Sequence, residues 1–183
     1  MALPISITTL TLLMVVVIVA SVFDVRYRKI PNWLVSAGAL AGFVSGFVGG
    51  GWHGVLGALL GFFTGFFLYL PLYVVRARGA GDVKLLAAMG AIVGVGTCFQ
   101  IALYSAILGG LFALALVIRK KRLSKTLFNV SVITHELLRR RMPFHADQQL
   151  DVRHPDSFRM PHAVVLASGT LAFLALGLKG LGL

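Results

Sequence analysis

Acidic residues and cysteine are scarce in this 183-residue chain: six Asp and Glu stand against 17 Lys and Arg, and Cys98 is alone. A single cysteine excludes an intrachain disulfide and a Cys-x-x-Cys pair for zinc. The five histidines, His53, His135, His145, His154 and His162, are scattered, with no His-x-x-x-His pair at helical metal-ligand spacing. No metal and no cofactor is therefore expected. Charge of either sign is also sparse, at 13% of residues against 58% hydrophobic. A soluble domain carries roughly a quarter charged residues, so an ordinary water-soluble fold is excluded.

What is present is a series of apolar runs near membrane length. They fall at Ile5–Phe23, Trp33–Val48, Gly54–Val75, Val83–Thr97, Phe99–Ile118 and Pro161–Leu178. At 1.5 Å per residue the first is roughly 28 Å long, enough to cross the hydrocarbon core. The second and fourth are shorter and rich in glycine. Met1-Ala2-Leu3-Pro4 lacks the basic start of a secretory signal, and the run after it is too long for one, so a retained first helix is expected. The fold class is all-α: a polytopic membrane bundle of about six transmembrane helices, forming one domain over residues 1–183.

Basic residues orient it. Arg26, Arg28 and Lys29 lie in one connection, Arg76, Arg78 and Lys84 in another, and ten more in the long segment 119–160. These alternate with connections around Gly49–His53 and Thr97–Phe99 that hold no Lys or Arg. Positive loops stay inside, so the three basic connections are expected in the cytoplasm and both termini outside, in a cell inner membrane. The +11 net charge is then a topology signal whose partner is anionic inner-leaflet lipid, and nucleic acid is not an expected partner. Within 119–160, Leu123, Leu127, Val130, Leu137 and Met142 fit one face of an interfacial helix, although a solvated basic linker fits equally. The stretch Pro143–Pro155 reads as irregular loop.

Glycines recur at intervals of four: Gly38, Gly42, Gly46 and Gly50; Gly57, Gly61 and Gly65; Gly90 and Gly94. That interval keeps them on one helix face, where backbones approach closely. Trp33 and Trp52 suit the membrane interface, and Cys98 suits packing.

Four of the six acids, Glu136, Asp147, Asp151 and Asp156, lie in the hydrophilic segment. Asp24 and Asp82 instead abut apolar runs, both at the expected cytoplasmic ends of their helices. Ionisable groups at membrane depth are costly and mark function. Two facing carboxylates cannot both ionise easily, so the pair shares a proton. The ionised member takes a proton from an attacking water while the protonated member donates to the carbonyl. Simpler roles exist for each: Asp82 as a cap on its helix, and Asp24 as a partner of Arg26 or Arg28.

The surrounding motifs add to this. Gly79-Ala80-Gly81-Asp82 is a GxGD motif followed by Lys84, and Asp24 is followed after five residues by Ile30-Pro31-Asn32. With Met160-Pro161-His162-Ala163 opening the last run, the whole chain resembles the type IV prepilin peptidase family, although an aromatic is commoner where His162 stands. The resemblance implies a membrane aspartic protease that removes the leader of type IV prepilins and pseudopilins at the cytoplasmic face. Asp24 and Asp82 match the catalytic pair, and Gly79 and Gly81 the motif glycines, whose expected role is close approach to substrate. Pro31 would redirect the chain between helices, and Asn32 would cap the second helix or position Asp24. Larger members carry a cytoplasmic domain with paired cysteines and also N-methylate the new terminus. This chain lacks those features and resembles the short form of tight-adherence (Flp) pilus systems more closely than the archaeal preflagellin peptidases. Two competing classes are a proton-coupled transporter or channel using Asp24 and Asp82, and a non-catalytic pilus-assembly scaffold. The first expects mid-membrane carboxylates and an inverted repeat, neither of which is seen. The second leaves the paired motifs unexplained.

Overall fold

The computed structural model describes residues 6–75, 78–119, 131 and 162–179, which contain helices and no strand. The helices are α1 (Ile7–Tyr27), α2 (Asn32–Val74), α3 (Ala80–Arg119) and α4 (His162–Lys179). The expected interfacial helix and loop after Arg119 lie outside the described residues, as do both ends of the chain.

Local signals set the helix ends. Ser6 caps α1 by accepting the Thr9 N–H at 3.1 Å. Arg28 closes it in the left-handed region (φ 51°), with its N–H bonded to the Asp24 carbonyl. Pro31 then stands extended as the N-cap of α2, turning the chain as the sequence predicts.

Both long helices are hairpins. In α2, Gly50 and Gly51 leave helical geometry, Gly51 with φ 55° and ψ −137°. The Phe43 and Phe62 rings come within 6.3 Å of each other, and Phe47 and Trp52 within 5.9 Å. In a straight helix residues 43 and 62 would be about 28 Å apart. In α3 the reversal is at Gly94 (φ 78°, ψ 178°), and Cys98 Sγ returns to 3.9 Å from the Leu86 carbonyl oxygen. The arms are 32–49 and 52–74 in α2, and 80–93 and 95–119 in α3. The α2 reversal falls where the sequence predicts a break. The α3 reversal comes three residues before Thr97, because the apolar run continues through the turn and only a glycine tolerant of positive φ marks it.

The arm 80–93 is the centre of the bundle, with Leu85, Leu86, Ala87, Ala88 and Met89 fully buried. One arm of α2 brings Gly38 and Gly42 against Ala88 and Ala91, and the other brings Gly61 and Gly65 against Gly90 and Leu86. A β-carbon on Gly42 would sit 2.7 Å from the Ala91 carbonyl carbon. At Gly42, Gly61 and Gly65 the spacing of four thus serves backbone contact, which stabilises helix pairs where lipid removes the gain from apolar burial, whereas Gly57 faces open space and Gly50 and Gly94 lie at the turns instead. Gly169 meets Ser105 and Gly109 meets Val165, so α4 runs antiparallel to the arm 95–119.

Large apolar side chains also cover the outside: Val48, Trp52 and Phe67 are among the exposed ones. Among the described residues three helices, α1, α2 and α3, are long and apolar enough to cross a membrane, and this is a membrane protein. The packing gathers six helix ends on one side of the bundle: the C-terminus of α1, both ends of the α2 hairpin, both ends of the α3 hairpin, and the N-terminus of α4.

Candidate active site

Asp24 lies in the last turn of α1, partly buried, and its Oδ2 accepts the Ala163 N–H at 2.9 Å. Ala163 is the second residue of α4, so this amide is one of the donors a helix N-terminus leaves unpaired. The bond joins residues 139 apart in sequence. Beside it, Ser21 Oγ donates to the Ala163 carbonyl at 3.2 Å. The first and last helices are thereby fixed together at the carboxylate.

Asp82 is 7% exposed. The GxGD turn folds on itself around it. The Asp82 N–H donates to the Gly79 carbonyl at 3.2 Å, and the Gly79 amide bonds back to the Asp82 carboxylate. This is half of a capping box, so the capping role weighed from the sequence is part of the structure. Gly79 is exposed, and a β-carbon there would lie 3.7 Å from Asp82 Oδ2. Gly81 is packed on Ile30, where an added β-carbon would come within 3.4 Å. The two motif glycines therefore differ: one lies open beside the carboxylate, and the other joins the motif to the segment before Pro31.

The Asp24 charge acts on Asp82, so the two acids, 58 residues apart in sequence, share one electrostatic neighbourhood. Each has a carboxylate held by an amide at a helix N-terminus. Such a pair, partly shielded from water, has the composition for general acid–base chemistry. Among the described residues no group of three His, Cys, Asp or Glu side chains is placed to hold a metal.

Lys84 Nζ donates to Asn32 Oδ1 at 3.1 Å and ties the start of α2 to the start of α3. The expected capping role of Asn32 is corrected here. Pro31 is the N-cap and offers no side-chain hydrogen bond, while Asn32 sits one residue inside the helix and turns to Lys84.

Two further residues stand at this end that the sequence motifs do not single out. Arg78 is positioned by its N–H, which donates to the Leu72 carbonyl at 3.1 Å. Its guanidinium carbon lies 4.4 Å from the ring centroid of Tyr69, itself 4% exposed. The Arg78 charge also acts on Asp82 and on His162. In the sequence Arg78 counts only towards loop charge, and Tyr69 is one aromatic in an apolar run. Their adjacency to Gly79 and to the end of α2 was the available signal. Met160 and Pro161 lie outside the described residues.

Residues 11–114, more than half the chain, match the model of the type IV leader peptidase family. The match spans both Asp24 and Asp82. No curated protein and no solved structure matches the chain.

Proposed function

This chain belongs to the type IV leader peptidase family, and we propose that it is a membrane aspartic endopeptidase cutting the leader from Flp-type prepilins and pseudopilins at the cytoplasmic face of the inner membrane. The observation that carries this reading is the convergence of Asp24 and Asp82 at the end of the bundle where the helix termini gather.

The chemistry follows from the pair. With one proton between them, the ionised carboxylate removes a proton from water as the oxygen attacks the scissile carbonyl. The protonated carboxyl donates to the carbonyl oxygen, and the proton gained from water goes to the departing amine. The two acids titrate as a unit, so neither is assigned a fixed role. The Ala163 and Gly79 amides hold one side of each carboxylate, leaving the other side for water and substrate. Gly79 keeps the approach to Asp82 open to a peptide backbone.

The two hairpins, α1 and α4 together supply six helical arms, and six membrane crossings with both termini outside fit the basic connections. The catalytic end then lies at the cytoplasmic edge, with anionic lipid around it. A substrate with a short polar leader inside and an apolar helix in the bilayer presents its junction at that depth. The proposal is for peptidase chemistry alone, without N-methylation.

The test is cleavage of a Flp-type prepilin by the full-length protein in proteoliposomes. Asp24→Asn and Asp82→Asn are each expected to lower the rate by roughly a thousandfold or more, with the double variant no worse, because the pair acts as a unit. Substantial activity in either single variant removes that residue from the reaction.

A further inference from the structure

The carboxylates are not the only polar groups gathered at this end. Tyr69 Oη, Arg78 Nη1 and His162 Nδ1 are buried and have no hydrogen-bond partner. They form one cluster: the Arg78 guanidinium lies over the Tyr69 ring, and its charge reaches both His162 and Asp82. His162 directly precedes Ala163, whose amide holds Asp24.

Buried hydroxyls elsewhere in the bundle are treated differently. Ser105 and Thr170 are fully buried, and each donates to the carbonyl four residues earlier, at 2.7 and 2.8 Å. The helices thus satisfy their own buried polar atoms wherever a helix backbone is within reach. Three unsatisfied atoms in one place, all beside the carboxylate pair, are destabilising unless a ligand completes them. The ligand must offer acceptors as well as donors. Arg78 Nη1 can only donate, Tyr69 Oη does either, and a neutral His162 accepts at Nδ1 or donates from it.

A peptide cut at this site meets that description. Its backbone must be extended to be attacked, which strips the carbonyl and N–H groups near the scissile bond of helical partners. In a buried subsite those groups need partners from the protein.

Resting on the peptidase reading of this site, we propose that Arg78, braced flat on Tyr69 and adjoining His162, forms a substrate-backbone subsite beside the carboxylate pair. Arg78 Nη1 donates to a carbonyl oxygen next to the scissile bond. Tyr69 Oη and His162 Nδ1 pair with neighbouring polar atoms of the same extended segment. No bond is made or broken there; the subsite aligns the peptide for Asp24 and Asp82.

The experiment uses the full-length protein in nanodiscs and a fluorescent peptide spanning the leader junction of a Flp-type prepilin. Cleavage is read as kcat and KM, and binding of the uncut peptide as Kd in an Asp24→Asn background. Arg78→Gln is expected to raise KM and Kd together by about tenfold or more, as for a lost hydrogen bond to a charged group, with a smaller fall in kcat. Arg78→Lys keeps the charge but loses the flat stack, and gives an intermediate rise. Tyr69→Phe keeps the ring beneath the guanidinium and gives the smallest rise. A fall in kcat with unchanged KM and Kd would mean that Arg78 acts only through Asp82, and would overturn the subsite. Should Arg78→Gln fail to fold, wild-type Kd in both Arg78→Lys and Tyr69→Phe would overturn it. Failure of the wild-type chain to cut removes the peptidase reading and the subsite together, whereas cleavage and binding indifferent to Arg78 remove the subsite alone.

Discussion

Where Gly61 meets Gly90 and Gly65 meets Leu86, two helices touch backbone to backbone with no polar side chain between them. At the end of the same helices, Tyr69, Arg78, Asp82, Asp24 and His162 form a cluster in which polar atoms are buried and three lack partners. The first region is fitted so closely that a methyl group has no room. The second is left with unsatisfied groups in a setting where each is costly. A membrane protein that gains little from apolar burial relies on such close contacts for stability. The glycine interface can therefore hold a polar end that is itself unfavourable.

Substitutions in the two regions should fail in different ways, and the largest contrast is between Gly65→Leu and Asp82→Asn. A side chain on Gly65 runs into the Leu86 carbonyl, so Gly65→Leu is expected to destabilise the bundle by at least ~3 kcal/mol, since rigid backbone cannot yield to it. Activity falls along with it. Asp82→Asn retains an oxygen to accept the Gly79 amide, and its stability is expected within about 1 kcal/mol of wild type. Thermal unfolding in detergent, set beside cleavage rates, separates the two. Equal destabilisation by both would dissolve the distinction between the regions.

A smaller effect is expected at the hairpin turns. Gly94 holds φ 78° with ψ 178°, a region essentially confined to glycine. No neighbour crowds it, since nothing lies within 4 Å of an added β-carbon. Gly94→Ala should then destabilise by ~1–3 kcal/mol through backbone strain alone, leaving KM unchanged. Unchanged stability would show that the turn relaxes and that the glycine is dispensable there.

The smallest effect should come from Asn32→Ala. Its bond to Lys84 lies at the exposed rim, and exposed polar pairs contribute little. Cleavage is expected to stay within about threefold of wild type, the scale of a rim contact. A loss comparable to that of Asp82→Asn would move Asn32 from the rim into the chemistry.

Much of this contrast was legible in the sequence, unevenly. The glycine interval of four pointed to close helix contacts, and Gly42, Gly61 and Gly65 make them. Asp24 and Asp82 stood out because four of the six acids lie in hydrophilic sequence and these two do not. The α2 turn was visible as a run of three glycines before Trp52, whereas the α3 turn was hidden inside continuous apolar sequence. Arg78 and Tyr69 were not legible as a pair. An arginine in a basic connection satisfies the topology rule wherever it points, and only the fold folds it onto a buried ring. The capping alternative for Asn32 failed, although an asparagine at a helix start usually caps. Here the preceding proline takes the cap position, and the asparagine side chain is left for Lys84.

The central claim is that Asp24 and Asp82 cut a leader at the cytoplasmic edge of the membrane, and the mass of the product N-terminus tests it most directly. A Flp-type prepilin co-expressed with the wild-type chain is predicted to lose only its polar leader, with the new terminus at the cytoplasmic start of its apolar helix. With Asp82→Asn the prepilin should keep its full mass. A new terminus within the apolar helix or at its outer end, or the same processed mass with Asp82→Asn as the sole copy, would contradict the account.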